Sequence, residues 1–278
     1  MKESGTAGTY ARRLYVHLAE YKAHRLGVPA NGTYRGREYG HILPPSEKWL
    51  NLVDAYRDEI QEFLRRHPRI ALHDCFHHLN SSQAFVLNLF VPFFEGGPAS
   101  SRALLAALGQ EAELLRWEPE AIPDPAEASN LDAVWDTADG TRTFCEVKLS
   151  ERDFGKARSD ERHLAKLKNI YLPRLAPYLS AELCSPAAFF ASYQVLRNVW
   201  HMVGNPNGRL VFLMPRANGR LWPMIEVVRA GLSTEIAERV RCVAIEDVLE
   251  QVSTDARCPI ALREYSARLR DKYVPAKR

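Results

Sequence analysis

Two acids and one amine at strand-like spacing are the residues of this chain best equipped to do chemistry. They lie in Asn130-Leu131-Asp132-Ala133-Val134-Trp135-Asp136 and, past an Asp139-Gly140 turn signal, in Phe144-Cys145-Glu146-Val147-Lys148-Leu149. Side chains alternate across a strand, so Leu131, Ala133 and Trp135 share one face and Asp132 takes the other. On the second strand Cys145, Val147 and Leu149 are the apolar face, while Glu146 and Lys148 project opposite. Charges set beside buried apolar residues need partners, and a metal ion would be one. Hard Mg²⁺ is held by one or two carboxylates, sometimes a carbonyl, and otherwise by water and phosphate oxygens. Asp132 and Glu146 are therefore candidate metal ligands, with the Val147 carbonyl a candidate third. Lys148, on the same face, is the candidate that positions and activates an attacking water or stabilises charge building on phosphorus. A plainer reading of the same residues is a cross-strand salt-bridge set on a solvated sheet face.

Pairing across the turn decides whether the three groups can meet. A two-residue turn at Asp139-Gly140 would pair Thr141 with Ala138, so that paired residue numbers sum to 279. Asp132 would then oppose Val147 and face away from Glu146 and Lys148. The chemistry requires an even sum such as 278, hence an odd-length loop of about three or five residues with glycine left-handed, or a bulge. The expectation is therefore set against the strongest local turn signal.

Asp132 followed by Glu146-Val147-Lys148 on the next strand resembles the PD-(D/E)XK motif of the restriction-endonuclease-like nucleases. Leu131 stands where that motif usually has proline. His77-His78-Leu79-Asn80-Ser81-Ser82-Gln83-Ala84 with Asn88, and Tyr193-Gln194-Val195-Leu196-Arg197, look like a bacterial subgroup of restriction-type endonucleases. The resemblance covers roughly residues 80–250. It implies an α/β fold, with a mixed central sheet flanked by helices, and a Mg²⁺-dependent (or Mn²⁺-dependent) endonuclease that hydrolyses DNA phosphodiester bonds in a restriction or defence system. It further implies that Gln83, on the first core helix, faces the catalytic centre, and that Gln194 and Arg197 contact DNA phosphate. DNA is the expected partner. A homodimer is the assembly of many double-strand cutters, although no self-complementary surface is written here. The alternative is a non-catalytic DNA-binding or assembly module that kept the fold.

Each further candidate has a plain reading beside the functional one. Gln83 and Asn88 are also amides that the fold itself could satisfy. Lys156 and Arg158, within a basic run that includes Arg152, Arg162, Lys166 and Lys168, would track phosphates and make affinity salt-dependent; such runs are more often solvated faces. Glu111 and Glu118 are candidates for an additional acid, or ordinary surface charges. His73 and His77 stand four apart in His73-Asp74-Cys75-Phe76-His77-His78, but no second Cys/His cluster completes a zinc site.

The elements that must carry these residues follow from periodicity. Helices are expected over 10–26, from Ser46 to Arg66 and over Asn80–Val91 and Ser100–Leu108, with residues 27–45 an irregular arm. Glu113–Glu118, Leu131–Asp136 and Thr143–Leu149 alternate as strands. A helix through Leu164, Leu167 and Tyr171 follows, then a long one over Ala187–Val203. Arg209–Met214 and Val240–Ile245 read as buried strands, and helices near 246–252 and 259–273 close the chain. Strands alternating with helices around one sheet is an α/β plan. Residues 1–79 are expected to form an N-terminal helical extension on a nuclease-like domain at 80–278.

The bulk composition agrees with this plan. The chain has 278 residues, 46% hydrophobic and 26% charged, enough to bury a core without disulfides. A net charge of +3 permits nucleic-acid contact without demanding it. Five scattered cysteines form no metal or redox motif, no apolar run is long enough to span a membrane, and the first residues do not read as a signal peptide. A cytoplasmic protein is the expectation.

Overall fold

The computed structural model describes residues 6–276. Helix α1 (Thr6–His24) leads into a small hairpin, β1 (Gly32–Tyr34) and β2 (Arg37–Tyr39), inside the segment expected to be irregular. Helices α2 (Arg57–Arg66), α3 (Ser82–Phe94) and α4 (Pro98–Ala107) precede the meander β3 (Leu114–Ala121), β4 (Leu131–Thr137) and β5 (Arg142–Val147). Helix α5 (Glu161–Lys166), a π-helical turn, α6 (Leu172–Leu175), α7 (Pro186–Ala191) and α8 (Tyr193–Val203) cross to β6 (Gly208–Met214). Then α9 (Leu221–Ala230) and α10 (Thr234–Glu238), neither expected from the sequence, lead to β7 (Val240–Ala244), α11 (Ile245–Thr254) and α12 (Ile260–Tyr273). The five-stranded sheet runs β3-β4-β5-β6-β7. Its first three strands are antiparallel, and β5-β6-β7 are parallel. This is the mixed, helix-flanked sheet of a restriction-endonuclease-like fold.

Both faces of the sheet are covered. One packs Ala133, Trp135, Cys145, Val147, Val211 and Leu213 against α3, α4, α11 and α12. The other packs Val134, Phe144, Leu210 and Phe212 against the α6–α8 region and α9. Burial on both sides explains why β6 reads as a near-continuous apolar run. Helix α3 is enclosed all round, with Gln83 through Phe94 buried, as befits its apolar sequence; Ser81 caps it by accepting the Ala84 amide at 3.2 Å.

Two helices expected to be continuous are broken, each by a tertiary hydrogen bond. Between Ser46 and Arg66 the chain makes a 3-10 turn over Pro45–Asn51, extends through Leu52 and Val53, and only then enters the α-helix. The buried Asn51 amide donates to the Phe76 and His78 carbonyls at 2.6 and 2.7 Å, and the Val53 amide donates to Asn88 Oδ1 at 2.8 Å. Those bonds replace the helical ones the segment gives up. In the same way α7 ends at Ser192 because the Phe190 carbonyl accepts from Ala157, not from the next helical turn. No helix among the described residues is long and apolar enough to cross a membrane.

Candidate active site

The hairpin register brings the acids together. Ala133 pairs with Cys145, Val134 with Phe144, Trp135 with Thr143 and Asp136 with Arg142, so paired numbers sum to 278 and Asp132 falls opposite Glu146. The loop between Thr137 and Thr141 has three residues, and Gly140 is left-handed at φ 79°. Asp139 secures it, with Oδ1 accepting from the Thr137 hydroxyl at 2.7 Å and the Thr141 amide at 3.1 Å. The strong Asp-Gly signal is thus used in a three-residue loop with glycine in the left-handed position.

The face carrying the acids is not solvated. Glu146 is only 4% exposed, because α8 lies across it. Its Oε1 accepts from Gln194 Nε2 at 2.7 Å and faces Lys148 Nζ at 2.8 Å, and its Oε2 accepts from Asn198 Nδ2 at 3.0 Å. Asp132 Oδ2 accepts the Val147 amide at 2.7 Å. Burial and the neighbouring Glu146 charge push the Asp132 carboxyl well above the usual range, against the pull of Lys148 and the Val147 amide. Burial works to lower the Lys148 ammonium, but Glu146, Glu151 and Asp132 outweigh it and raise its affinity for the proton. Its ammonium thus sits among three carboxylates, paired most closely with Glu146.

Helix α8 presents its polar residues as one stripe. Gln194, Arg197, Asn198 and His201 fall at i, i+3, i+4 and i+7, while Val195, Leu196, Val199 and Trp200 pack into the core. Gln194 and Asn198 hold Glu146. His201 Nε2 lies 3.6 Å from a second buried acid, Glu127, which also accepts from Tyr171 Oη at 2.7 Å and from the Ser129 hydroxyl. Lys166 donates to the Glu127 carbonyl at 3.0 Å. Burial pushes the Glu127 carboxyl up, but the bonds from His201, Ser129 and Tyr171 win and hold it down at about 2.

The other expected site residues are placed as follows. Gln83 does not touch the Asp132–Glu146 pair: its Oε1 accepts from the His73 amide at 2.8 Å, and its Nε2 donates to the Ala71 carbonyl at 2.9 Å and to Glu120 Oε1 at 3.1 Å. Gln194 points inward, onto Glu146, and Arg197 is half-buried on the same face of α8, its Nε without a hydrogen-bond partner among the described residues. Lys156 and Arg158 are exposed on the segment that follows β5, where left-handed Gly155 passes close to Gln194. Glu118 pairs with Arg69 at the surface at 3.0 Å, and Glu111 is exposed. Next to the His73 and His77 pair, His78 is buried and depressed to about 4 by burial and His77; no group of three or more His, Cys, Asp or Glu among the described residues is gathered to hold a metal. All five cysteines are free thiols.

Three functional candidates escaped sequence reading. Asn198 carried a signal, its i+4 spacing from Gln194. Glu151 carried none; it is a buried acid beside Lys148 that accepts the Leu149 amide at 2.6 Å. Glu120 belongs to β3. Its neighbours pair as Pro119 with Ala133 and Ala121 with Leu131, which puts Glu120 in one cross-strand row with Asp132 and Glu146.

A mixed sheet with a buried acid, acid and lysine on one face of its hairpin defines a restriction-endonuclease-like protein. The chain belongs to the REase-ARP family, described as restriction endonuclease associating with ARP, whose model matches residues 15–274. That span runs from α1 through α12. Comparison with curated proteins and with solved structures finds no match.

Proposed function

We propose that this protein is a divalent-metal-dependent endonuclease that hydrolyses DNA phosphodiester bonds. The observation that carries the reading is the placement of Asp132, Glu146 and Lys148 on one covered face by a register that the local turn signal alone would not select. The donor set fits a hard cation: two carboxylates on adjacent strands, one raised in pKa by the other's charge, with no soft ligand beside them. Asp132 and Glu146, with the Val147 carbonyl, would hold Mg²⁺ or Mn²⁺. Bound there, the ion would acidify water and neutralise charge on phosphate.

The chain's own residues supply the rest. Gln194 and Asn198 fix the Glu146 carboxylate in orientation, as second partners of metal ligands do. Lys148 stays protonated and stabilises charge on the pentacoordinate phosphorus while orienting the attacking water. Exposed Lys156 and Arg158, next to the site, would contact DNA backbone, so binding should weaken steeply with salt. The family's description supports a protein that works with an ARP partner, in keeping with a restriction or defence role. Purified protein should nick or degrade plasmid DNA with Mg²⁺ or Mn²⁺ and be silent in EDTA. Cleavage that persists in EDTA, or none with either metal, would refute the reading.

A further inference from the structure

Hydrolysis of a phosphodiester leaves one proton to be delivered to the departing oxygen, and the groups already described are poorly placed to give it. Lys148 Nζ is engaged with Glu146 Oε1 at 2.8 Å, on the side of the attacking water. Asp132 and Glu146 are taken as the metal ligands. Glu151 is buried and turned onto the Leu149 amide.

The row Glu146–Asp132–Glu120 runs from the α8-covered interior toward the edge strand of the sheet, and it ends on a histidine in solvent. His73 is 54% exposed, with Nε2 3.5 Å from Glu120 Oε2. Its other ring nitrogen makes no hydrogen bond to the described residues. The pair is built, not incidental. The Glu120 side chain is 7% exposed and takes further hydrogen bonds from Gln83 at 3.1 Å and Asn130 at 3.2 Å. Its backbone is left-handed at φ 51°, a conformation that strains a non-glycine residue and clusters at functional sites. Gln83 itself is 1% exposed, and it holds Glu120 with one end of its amide and the His73 backbone with the other.

In-line displacement puts the attacking and leaving oxygens on opposite sides of phosphorus. Lys148 and Glu146 stand at the β5 end of the row. Adjacent strands are about 4.8 Å apart, so Glu120 and His73 stand roughly two strand spacings away, at the other end. We infer that His73, held by Glu120, is the general acid that protonates the leaving oxygen, with Gln83 as a positioning residue for both. The inference rests on the nuclease reading above. Water forms the new P–O bond and its proton passes to solvent; the bridging P–O bond breaks with its electron pair on the leaving oxygen; and the imidazolium proton goes to that oxygen, with the imidazole reprotonated from solvent. The products are a phosphomonoester and an alcohol.

A sulfur leaving group tests this, because a thiolate departs without a proton. A synthetic duplex is cleaved by wild type to establish from its ends which oxygen leaves, and a second duplex carries sulfur at that bridging position. His73→Gln should slow cleavage of the oxygen substrate about 10²-fold or more and cleave the sulfur substrate at nearly the wild-type rate. Glu120→Gln should show the same pattern more weakly. DNA binding in EDTA and the melting temperature of His73→Gln should match wild type, as its exposure allows. Equal slowing of both substrates, or an unchanged rate on the oxygen substrate, overturns the inference and leaves the nuclease reading standing. No cleavage by wild type of either duplex overturns both.

Discussion

Two acids of this region, Glu127 and Asp132, have opposite fates. Glu127 is surrounded by donors: Tyr171, Ser129, His201 and Lys166 converge on it, and its carboxyl is depressed to about 2. Asp132 has one backbone amide and a like charge opposite, and its carboxyl is raised well above the ordinary range. The first arrangement is what a fold does with a carboxylate it needs only for structure. The second leaves charge uncompensated, which costs stability and makes sense where a cation or a charged substrate supplies the missing partner. The contrast separates the two clusters more sharply than any motif.

The widest way to break this comparison is catalytic. Asp132→Ala and Glu146→Ala should each lower plasmid cleavage on the order of 10³-fold, whereas Glu127→Gln, provided it remains folded, should leave the rate within a few-fold. Equal losses from both clusters would erase the distinction.

Lys148→Ala comes next. Turnover should fall roughly 10²–10³-fold, while metal affinity, read by titration calorimetry, and DNA binding persist. Metal affinity lost as fully as in Glu146→Ala would show that the amine holds the ion's site together instead.

The α8 amides should matter less. Asn198→Ala leaves Glu146 Oε2 without its donor, and about a 10–100-fold loss of metal affinity or activity is expected. Full activity in this variant would mean that Glu146 needs no orienting partner.

The smallest effects are in stability, and here the two acids should differ in sign. The raised Asp132 carboxyl favours the fold below its ordinary pKa, and that contribution is lost as pH rises through the raised folded value. Asp132→Asn should therefore raise the metal-free melting temperature by a few degrees at neutral pH. The depressed Glu127 carboxyl stabilises above its ordinary value near 4.5, and that contribution is lost as pH falls toward about 2. Glu127→Gln should lower the neutral-pH melting temperature and flatten its fall in that acid window. Calorimetric scans from pH 3 to 8 check both, and shifts of the same sign would refute the comparison.

Much of the site could be read before any coordinates. Alternation put Asp132, Glu146 and Lys148 on the faces opposite Trp135 and Cys145, and the demand that they meet selected the even register the hairpin adopts. Glu120 could not be found this way. Its place beside Asp132 depends on the β3–β4 register across the loop of residues 122–130, whose length sets no pairing. Gln83 stands out in the sequence as an amide on an apolar helix, but its partners lie 10 to 37 positions away and could not be read there.

What the sequence determined by itself was whatever depends on short-range period and chemistry. That includes the strands of the five-stranded sheet and most helices, the apolar faces, and the acid, acid and lysine set. The tertiary structure decided where helices stop, as at Leu52–Val53 and Ser192, because there a distant carbonyl or amide competes for a helical hydrogen bond. It also decided which polar residues are spent on the fold. Gln194 and Arg197 look alike as phosphate contacts in the sequence, yet α8 turns Gln194 onto Glu146 at 2.7 Å. A side chain's type sets which bonds it can make; only the packing of helix on sheet sets which partner is close enough to make them, and so which carboxylate is ringed by donors and which faces a like charge.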